Sequence, residues 1–322
     1  MTIHGHLEEF HGLPVFEFPQ LSQGPVDRSS LPAADAAAWR ITVGSYDPEE
    51  PWADAFARFL DAVDPGGVRA LVVGAWGESY ENHSTEVLAA IVAARDRLTS
   101  LRAVFVGDIV MEESEISWIH QGRVTDLLDA FPELEELGVR GGTDLEFEEV
   151  KHAGLRKLVV ETGGMPAAAV RGVAGGEFPA LTRLDLWLGT PDYGGDASVD
   201  DLAPILSGER LPSLTHLGLC NSEIQDAVCA AVASAPVVAR LEVLDLSMGI
   251  LTDDGAAALL SGQPLTHLRE LDLTHNYLSD AMRARLTETL SPADVVLHLD
   301  ADDAEQEEEE DGTMWRYVAV GE

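Results

Sequence analysis

The residues of this 322-residue chain whose types suit chemistry are few and widely spaced, with two cysteines and ten histidines among them. Cys220 lies close to His216, and a nearby imidazole is what lowers a thiol's pKa and takes up its proton in nucleophilic catalysis. Four positions apart on an extended strand, the two side chains stand about 13 Å apart, too far for proton transfer. Two clusters mix imidazole with carboxylate, as metal sites do. One is His4, His6 and His11 in HGHLEEFH; the other is His298 with Asp300, Asp302 and Asp303. Neither has a recognised ligand spacing, and the acidic run from Asp300 to Asp311 lacks the glycine-punctuated order of a calcium loop. Gly163-Gly164 and Gly194-Gly195 are not followed by the Lys-Ser/Thr of a phosphate loop, and no Gly-x-Ser-x-Gly turn occurs. The sequence therefore predicts no catalytic residue, no cofactor and no metal, with a metal-dependent enzyme as the weakest alternative.

The elements that carry these residues follow from a repeat. Leu-x-x-Leu-x-Leu recurs at Leu181–Leu186, Leu214–Leu219, Leu241–Leu246 and Leu268–Leu273. Looser copies run back through Leu155–Val160, Leu134–Val139, Leu101–Val106, Val68–Val73 and Ile41–Val43, and Leu297–Leu299 adds one at the far end. Measured at the middle apolar residue, the steps from 41 to 297 are 30, 33, 33, 21, 26, 33, 27, 27 and 26. Between the strands lie stretches with apolar residues three or four apart, at 52–63, 87–98, 124–131, 227–235, 255–261 and 279–290, as amphipathic helices require. A strand and helix pair cannot bury its apolar face alone, so stacked neighbours share one continuous core. The predicted fold is an α/β solenoid of about nine to ten leucine-rich repeats, with a parallel sheet on the concave face and helices on the convex face. Residues 1–37 are expected to cap the array, 38–300 to form it, and 301–322 to add a solvated acidic loop and a strand that covers the last repeat. Cys220 falls on a strand and Cys229 in the next helix, so no disulfide is expected between them.

The copies LEVLDLSMGILTDDGAAALLSG (241–262) and LRELDLTHNYLSDAMRARLTETL (268–290) resemble ribonuclease-inhibitor-type leucine-rich repeats. The segment GDIVMEESEISWIHQG (107–122), with LWLG at 186–189, is similar to a family of uncharacterised bacterial leucine-rich repeat proteins. The resemblance implies a fold and no activity. Only Asn276 stands at the turn position where such repeats often place Asn, since Ser222 and Gly249 replace it elsewhere, so a continuous asparagine ladder is not expected.

Three steps of 33 carry their extra residues after the strands at 71–73, 104–106 and 184–186, so the insertions project from one edge. They bear Trp76, Tyr80 and His83, then Asp108, Met111, Glu112, Trp118 and His120, then Trp187, Asp192 and Tyr193. Long loops on one face of a repeat protein commonly bind, although these aromatics could equally tuck beneath their own loops, Trp118 above all. Strand residues alternate in direction. The concave track then reads Thr42, Val72, Phe105, Gly138, Val159, Asp185, Gly218, Asp245, Asp272 and His298, apolar first and acidic later. A protein-binding surface is expected with Trp187 as anchor and Asp185, Asp245 and Asp272 around it, extended by Trp76, Phe105, Asp108 and Tyr193. Plain solvent-facing aspartate is the alternative.

Charge narrows the partner. Twenty Lys+Arg against 57 Asp+Glu give a net charge of −37, and the 46% apolar content excludes wholesale disorder. Nucleic acid and anionic membranes are repelled, which leaves a protein with a basic patch. No basic, apolar leader opens the chain and no stretch of about 18 apolar residues occurs, so a cytoplasmic location is expected. The sequence thus predicts a non-enzymatic protein-interaction module, with an acidic nucleic-acid mimic that inhibits a basic protein as the alternative. Oligomeric state is left open.

Overall fold

Alternating apolar residues in runs of three to seven, broken by turn residues, favour short strands over helices. The computed structural model describes residues 4–301, 304, 306–308 and 314–321. The chain opens with β1 (Glu9–Phe10), β2 (Leu13–Glu17), β3 (Ala38–Ile41), α1 (Trp52–Ala62), β4 (Ala70–Val73), α2 (Thr85–Ala93), β5 (Ala103–Val106) and α3 (Thr125–Ala130). It continues with β6 (Glu136–Arg140), β7 (Lys157–Glu161), α4 (Ala167–Gly175), β8 (Arg183–Gly189), α5 (Val199–Ser207), β9 (His216–Ser222) and α6 (Gln225–Val232). The last elements are β10 (Val243–Asp245), α7 (Asp253–Ser261), β11 (Glu270–Asp272), α8 (Asp280–Leu290), β12 (Val296–His298), β13 (Gln306–Glu308) and β14 (Met314–Arg316).

Strands β1 to β12 form one open sheet in chain order, while β13 and β14 make a separate antiparallel pair. From β2 onward every neighbouring pair in the large sheet is parallel. The fold is an α/β leucine-rich repeat solenoid, with strands lining the inside of an arc and helices outside. Its register aligns Trp39, Leu71, Val104, Leu137, Leu158, Leu184, Leu217, Leu244, Leu271 and Leu297, all facing the helices. These and their helix partners form one hydrophobic core running from Phe18 to Val295.

Three details differ from the sequence-based expectation. In β3 the residue aligned with Val72 is Arg40, not Thr42, so the weakest repeat copy is shifted by two positions. Ile41-Thr-Val mimics the repeat, but Trp39 makes the larger core contact, fully buried against Phe59 at 5.3 Å. Second, β2 is already a parallel strand paired with β3, so the sheet begins within the first 37 residues. Phe16 packs on Trp39 and Phe18 on Phe59, each with ring centroids 5.5 Å apart, which seals that end of the core. Third, α4 and α5 escape the periodicity search, and no helix forms between β6 and β7, where the step is only 21 residues. The α4 sequence AAAVRGVAG has too few large residues for an amphipathic signal, and α5 contains Pro204. The small residues in α4 serve close approach: a Cβ on Gly172 would lie 1.7 Å from the Phe147 carbonyl oxygen of the helix-free crossing. Among the described residues no helix is long and apolar enough to cross a membrane.

At the turn after β11, Asn276 ties two repeats together. Its Oδ1 accepts from the Leu251 amide at 3.0 Å, and its Nδ2 donates to the Leu246 and Leu273 carbonyls, both at 3.0 Å. Leaving such buried groups without partners costs about 1–3 kcal/mol each. Asn276→Ala is expected to lower stability by about 3 kcal/mol, read as a reduced urea midpoint. Hydrogen exchange should quicken first around residues 246–278; uniform exchange across the array would contradict a local tie.

Candidate functional site

The concave face divides in two, and its N-terminal half is closed by the chain's own beginning. Along β3, β4 and β5 the aligned concave residues are Ala38, Ala70 and Ala103, small enough for another segment to lie on them. Phe10 and Leu7 fill that space with Val72 and Phe105, making a second apolar cluster on the inner side of the sheet. The Phe10 and Phe105 rings meet edge to face at 5.9 Å. Phe105 in turn lies over Gly138, where a Cβ would come within 2.2 Å of its ring, and the Arg140 guanidinium sits 5.4 Å above it.

A buried ion pair anchors this cover. Gly107, at φ 92°, turns the chain at the end of β5 so that Asp108 points inward. Asp108 is 0% exposed. Arg40 donates through Nε to its Oδ2 at 2.8 Å and through Nη2 to its carbonyl oxygen at 3.0 Å. Arg140 Nη1 lies 3.6 Å from Oδ1, while its Nε donates to Glu161 at 2.7 Å. The N-terminal segment completes the set: the Leu7 amide donates to Oδ1 at 3.1 Å, and His6 Nδ1 stands 3.4 Å from Oδ2. Burial alone would raise the Asp108 pKa, but the His6 hydrogen bond and the two guanidiniums outweigh it and hold the carboxyl below its ordinary value. The same hydrogen bond raises His6 above its ordinary value, against burial and the charge of Arg40, with the Asp108 and Glu113 charges assisting.

Beside this segment a cleft of about 370 Å³ is lined by Phe10, His11, Glu136, Lys157, Glu161 and Arg183 among others. Most of its charges pair within the chain: Glu136 with Lys157 at 2.7 Å and His11 at 3.1 Å, Glu161 with Arg140, and Arg183 with Asp185 at 2.6 Å, while the exposed Glu9 has no ion pair among the described residues.

The C-terminal half is different. Asp245 and Asp272, aligned on β10 and β11, accept hydrogen bonds from the amides two residues on, Ser247 at 3.0 Å and Thr274 at 2.8 Å, and Asp245 also accepts from the Ser247 hydroxyl and the Cys220 thiol. Among the described residues neither has an Arg, Lys or His within ion-pair distance. Burial lifts the Asp245 pKa, the Ser247 hydrogen bonds oppose the rise, and the charge of Asp272 adds to it. The rim beside this half is crossed by the chain's end. Tyr317 exchanges hydrogen bonds with the Tyr277 hydroxyl, Ala319 donates to the Met248 carbonyl at 2.9 Å, and the Val320 amide donates to Asn221 at 2.9 Å. Ser117 donates to the Gly321 carbonyl. The expected terminal strand thus pairs with β13 instead, and the residues after it run back along the strand ends as far as the loop beyond β5. Asp302 and Asp303 lie outside the described residues, and the acidic run is described only in part.

Of the residues expected at a partner surface, four are spent inside the chain. Phe105 is 4% exposed beneath Phe10, and Asp108 is buried as above. Trp76, at 8%, tucks under its own loop and donates from Nε1 to the Asn82 carbonyl at 2.9 Å. Asp185, at 5%, is neutralised by Arg183 and by His216 at 2.8 Å. Trp187 is half-buried against Ile116, Ala319 and Val320, and Tyr193 lies beside Gly321. Trp118, expected to tuck in, is 56% exposed. Cys220 and Cys229 are free and buried, and burial pushes both thiols above their ordinary range, so neither is a nucleophile. His6 of the N-terminal histidine cluster pairs with carboxylates, as do His4 and His11. Sequence inspection misses one cluster of metal-ligating side chains, His83, His120 and Asp144, whose donor atoms all lie within 4.8 Å of one another. Aligning the loops after β4, β5 and β6 by strand end is the signal that brings the three residues together.

No protein-family model matches the chain, and no curated protein matches it either. Among solved structures, a protein from Bacteroides fragilis, a structural-genomics target, is 30% identical, with a TM-score of 0.71 over 79% of this chain and 70% of that one. The chain belongs to the family of that Bacteroides protein. An internalin from Listeria monocytogenes also matches, at 13% identity and a TM-score of 0.31 over 72% of this chain and 54% of that one, too distant to bear on fold or function.

Two expectations test the closed half of this family member. Asp108→Ala leaves two buried guanidiniums facing each other and should cost about 3–5 kcal/mol, as breaking a buried pair does, while exposing residues 4–12 to proteolysis. The cover should also respond to pH. The raised His6 pKa gives stability that is complete below about pH 6.5 and lost as pH rises through its folded value, whereas the lowered Asp108 pKa gives stability lost only as pH falls below about 3.8. Protection of the Leu7 amide, corrected for intrinsic exchange, should fall as pH rises above about 6.5, and His6→Gln should remove that dependence. Flat protection in the natural chain would disprove the role of His6.

Proposed function

We propose that this chain is a cytoplasmic, non-enzymatic protein-interaction module whose repeats are of ribonuclease-inhibitor type. Its partner docks on the C-terminal half of the concave face and presents an Arg- or Lys-bearing segment to Asp245 and Asp272. The observation that carries this is a contrast in charge pairing: Asp108, Glu136, Glu161 and Asp185 have cationic partners within the chain, while Asp245 and Asp272 have none among the described residues. Two adjacent carboxylates, partly buried and without counter-charge, favour a ligand that brings a cation, and a net charge of −37 steers such a ligand inward. Trp187 and Tyr193 border this surface, and their uncovered edges supply the apolar part of the contact.

The test uses the full chain to capture a partner from native lysate and then measures the purified pair. Asp245→Asn with Asp272→Asn removes charge that pairs with no base among the described residues, so folding should hold. Affinity should fall by about tenfold or more, with a flatter salt dependence. Changing Glu86 and Asp129 to amides on the convex side should leave binding unchanged. A partner held equally well by the Asp245/Asp272 variant would place the docking surface elsewhere.

A further inference from the structure

At the edge where the strands end, the loops after β4, β5 and β6 bring His83, His120 and Asp144 together. Their backbones are tied to one another. The His120 amide donates to the Ser79 carbonyl at 2.9 Å, and the Ser84 amide donates back to the His120 carbonyl at 3.1 Å. The Gln121 amide donates to the Thr143 carbonyl at 2.8 Å, within a parallel bridge between His120 and Thr143. Asp144 adopts the left-handed conformation, φ 55°, which Asp tolerates better than most residues and which turns its carboxylate toward the two rings.

The arrangement around His83 points to a cation. Its Nδ1 lies 3.1 Å from the Gln121 carbonyl oxygen, which can only accept, so Nδ1 carries the hydrogen. In the neutral ring Nε2 is then a bare lone pair, and it faces Asp144 Oδ2 at 3.8 Å. That opposition is relieved when a positive charge lies between them, either a proton on Nε2 or a bound cation. The same Oδ2 accepts a hydrogen bond from His120 Nδ1 at 2.7 Å, whose proton an ion would displace, and the two imidazoles meet edge to face at 5.3 Å. Among the described residues Asp144 has no Arg or Lys within ion-pair distance; Arg123 turns instead to Asp126 and Glu148. Donors about 2.0–2.1 Å from a tetrahedral ion sit about 3.4 Å apart, so the 3.8 Å contact is close to that spacing and the 2.7 Å hydrogen bond would lengthen by about 0.7 Å as an ion replaces its proton. The carbonyl bond to His83 is the outer contact that commonly fixes the tautomer of a ligating histidine.

We propose that His83, His120 and Asp144 form a site for a first-row divalent transition metal, Zn²⁺ by ligand type, with the remaining coordination positions open to solvent. Two imidazoles and one carboxylate suit zinc and its neighbours, while calcium and magnesium prefer all-oxygen shells. Bound there, the ion cross-links the loops of three successive repeats at the rim of the arc. Water, or a side chain from another molecule, completes the shell.

The experiment uses the full chain without a histidine tag, stripped with chelator and titrated with Co²⁺ and then Zn²⁺. One equivalent of Co²⁺ should develop visible ligand-field absorption that Zn²⁺ displaces, and Zn²⁺ should raise the melting temperature in a manner the chelator reverses. His83→Ala and His120→Ala should each weaken binding by about 100-fold or more, since even outer contacts of a ligand contribute about 10–100-fold. Asp144→Asn keeps the shape and removes the charge, and should weaken binding while the metal-free fold stays intact by circular dichroism. His4→Ala, which removes an exposed histidine outside the cluster, should leave the titration unchanged. Absence of a one-equivalent site in the natural chain, or undiminished binding in the His83/His120 double variant, would overturn the proposal.

Discussion

Asp108 is a full negative charge without solvent exposure, and it is tolerable only because Arg40, Arg140, His6 and the Leu7 amide surround it. Burying an ion without such partners costs several kcal/mol, so the network is close to all-or-none: each member requires the rest. Its partners come from β3, β6 and the N-terminal segment, and Asp108 itself follows β5. The closure of the inner face over those strands therefore depends on one carboxylate, and with it the division of the concave surface into a covered half and an open one.

The apolar contacts beneath the cover follow from that closure. Ala38, Ala70 and Ala103 present a shallow floor, Gly138 accepts the ring of Phe105, and Phe10 fills what remains. On the far side, the strap formed by residues 317–321 is held by backbone hydrogen bonds to Asn221 and Met248 and by apolar contact with Trp187. Both ends of the described chain thus return to the array, and the inner surface they leave uncovered includes Asp245 and Asp272, which have no Arg, Lys or His within ion-pair distance among the described residues.

Membership in the family of the Bacteroides protein and the regular register of the sheet agree on architecture, while the distribution of charge carries the functional proposal. Pairing decides which acidic residues can matter. Asp185, Glu136 and Glu161 spend their charge on neighbouring bases, so the large negative total is concentrated in effect at fewer positions than the composition suggests.

By itself the sequence determined what periodicity encodes. Leucines at fixed spacing specify which side of each strand is buried, hence the parallel sheet, the outer helices and the separation of Cys220 from Cys229. The exceptions are places where the periodic signal is weak: Ile41-Thr-Val43 imitates a repeat two positions out of phase, α4 is too rich in Ala and Gly, and α5 contains proline. Of the expected surface, Asp245 and Asp272 are partly buried without a cationic partner among the described residues, while Trp76, Phe105, Asp108 and Asp185 are buried inside the chain. Trp76 and Asp185 are spent on near neighbours, Asn82 and Arg183, but nothing local marks Phe105 and Asp108, because an inward-facing side chain has the same sequence context whether it meets water or the segment that covers it. The contact from Leu7 to Asp108 spans 101 positions, and His83, His120 and Asp144 converge from three different repeats. Such meetings are decided by where non-repetitive segments run in space, which only the tertiary structure fixes.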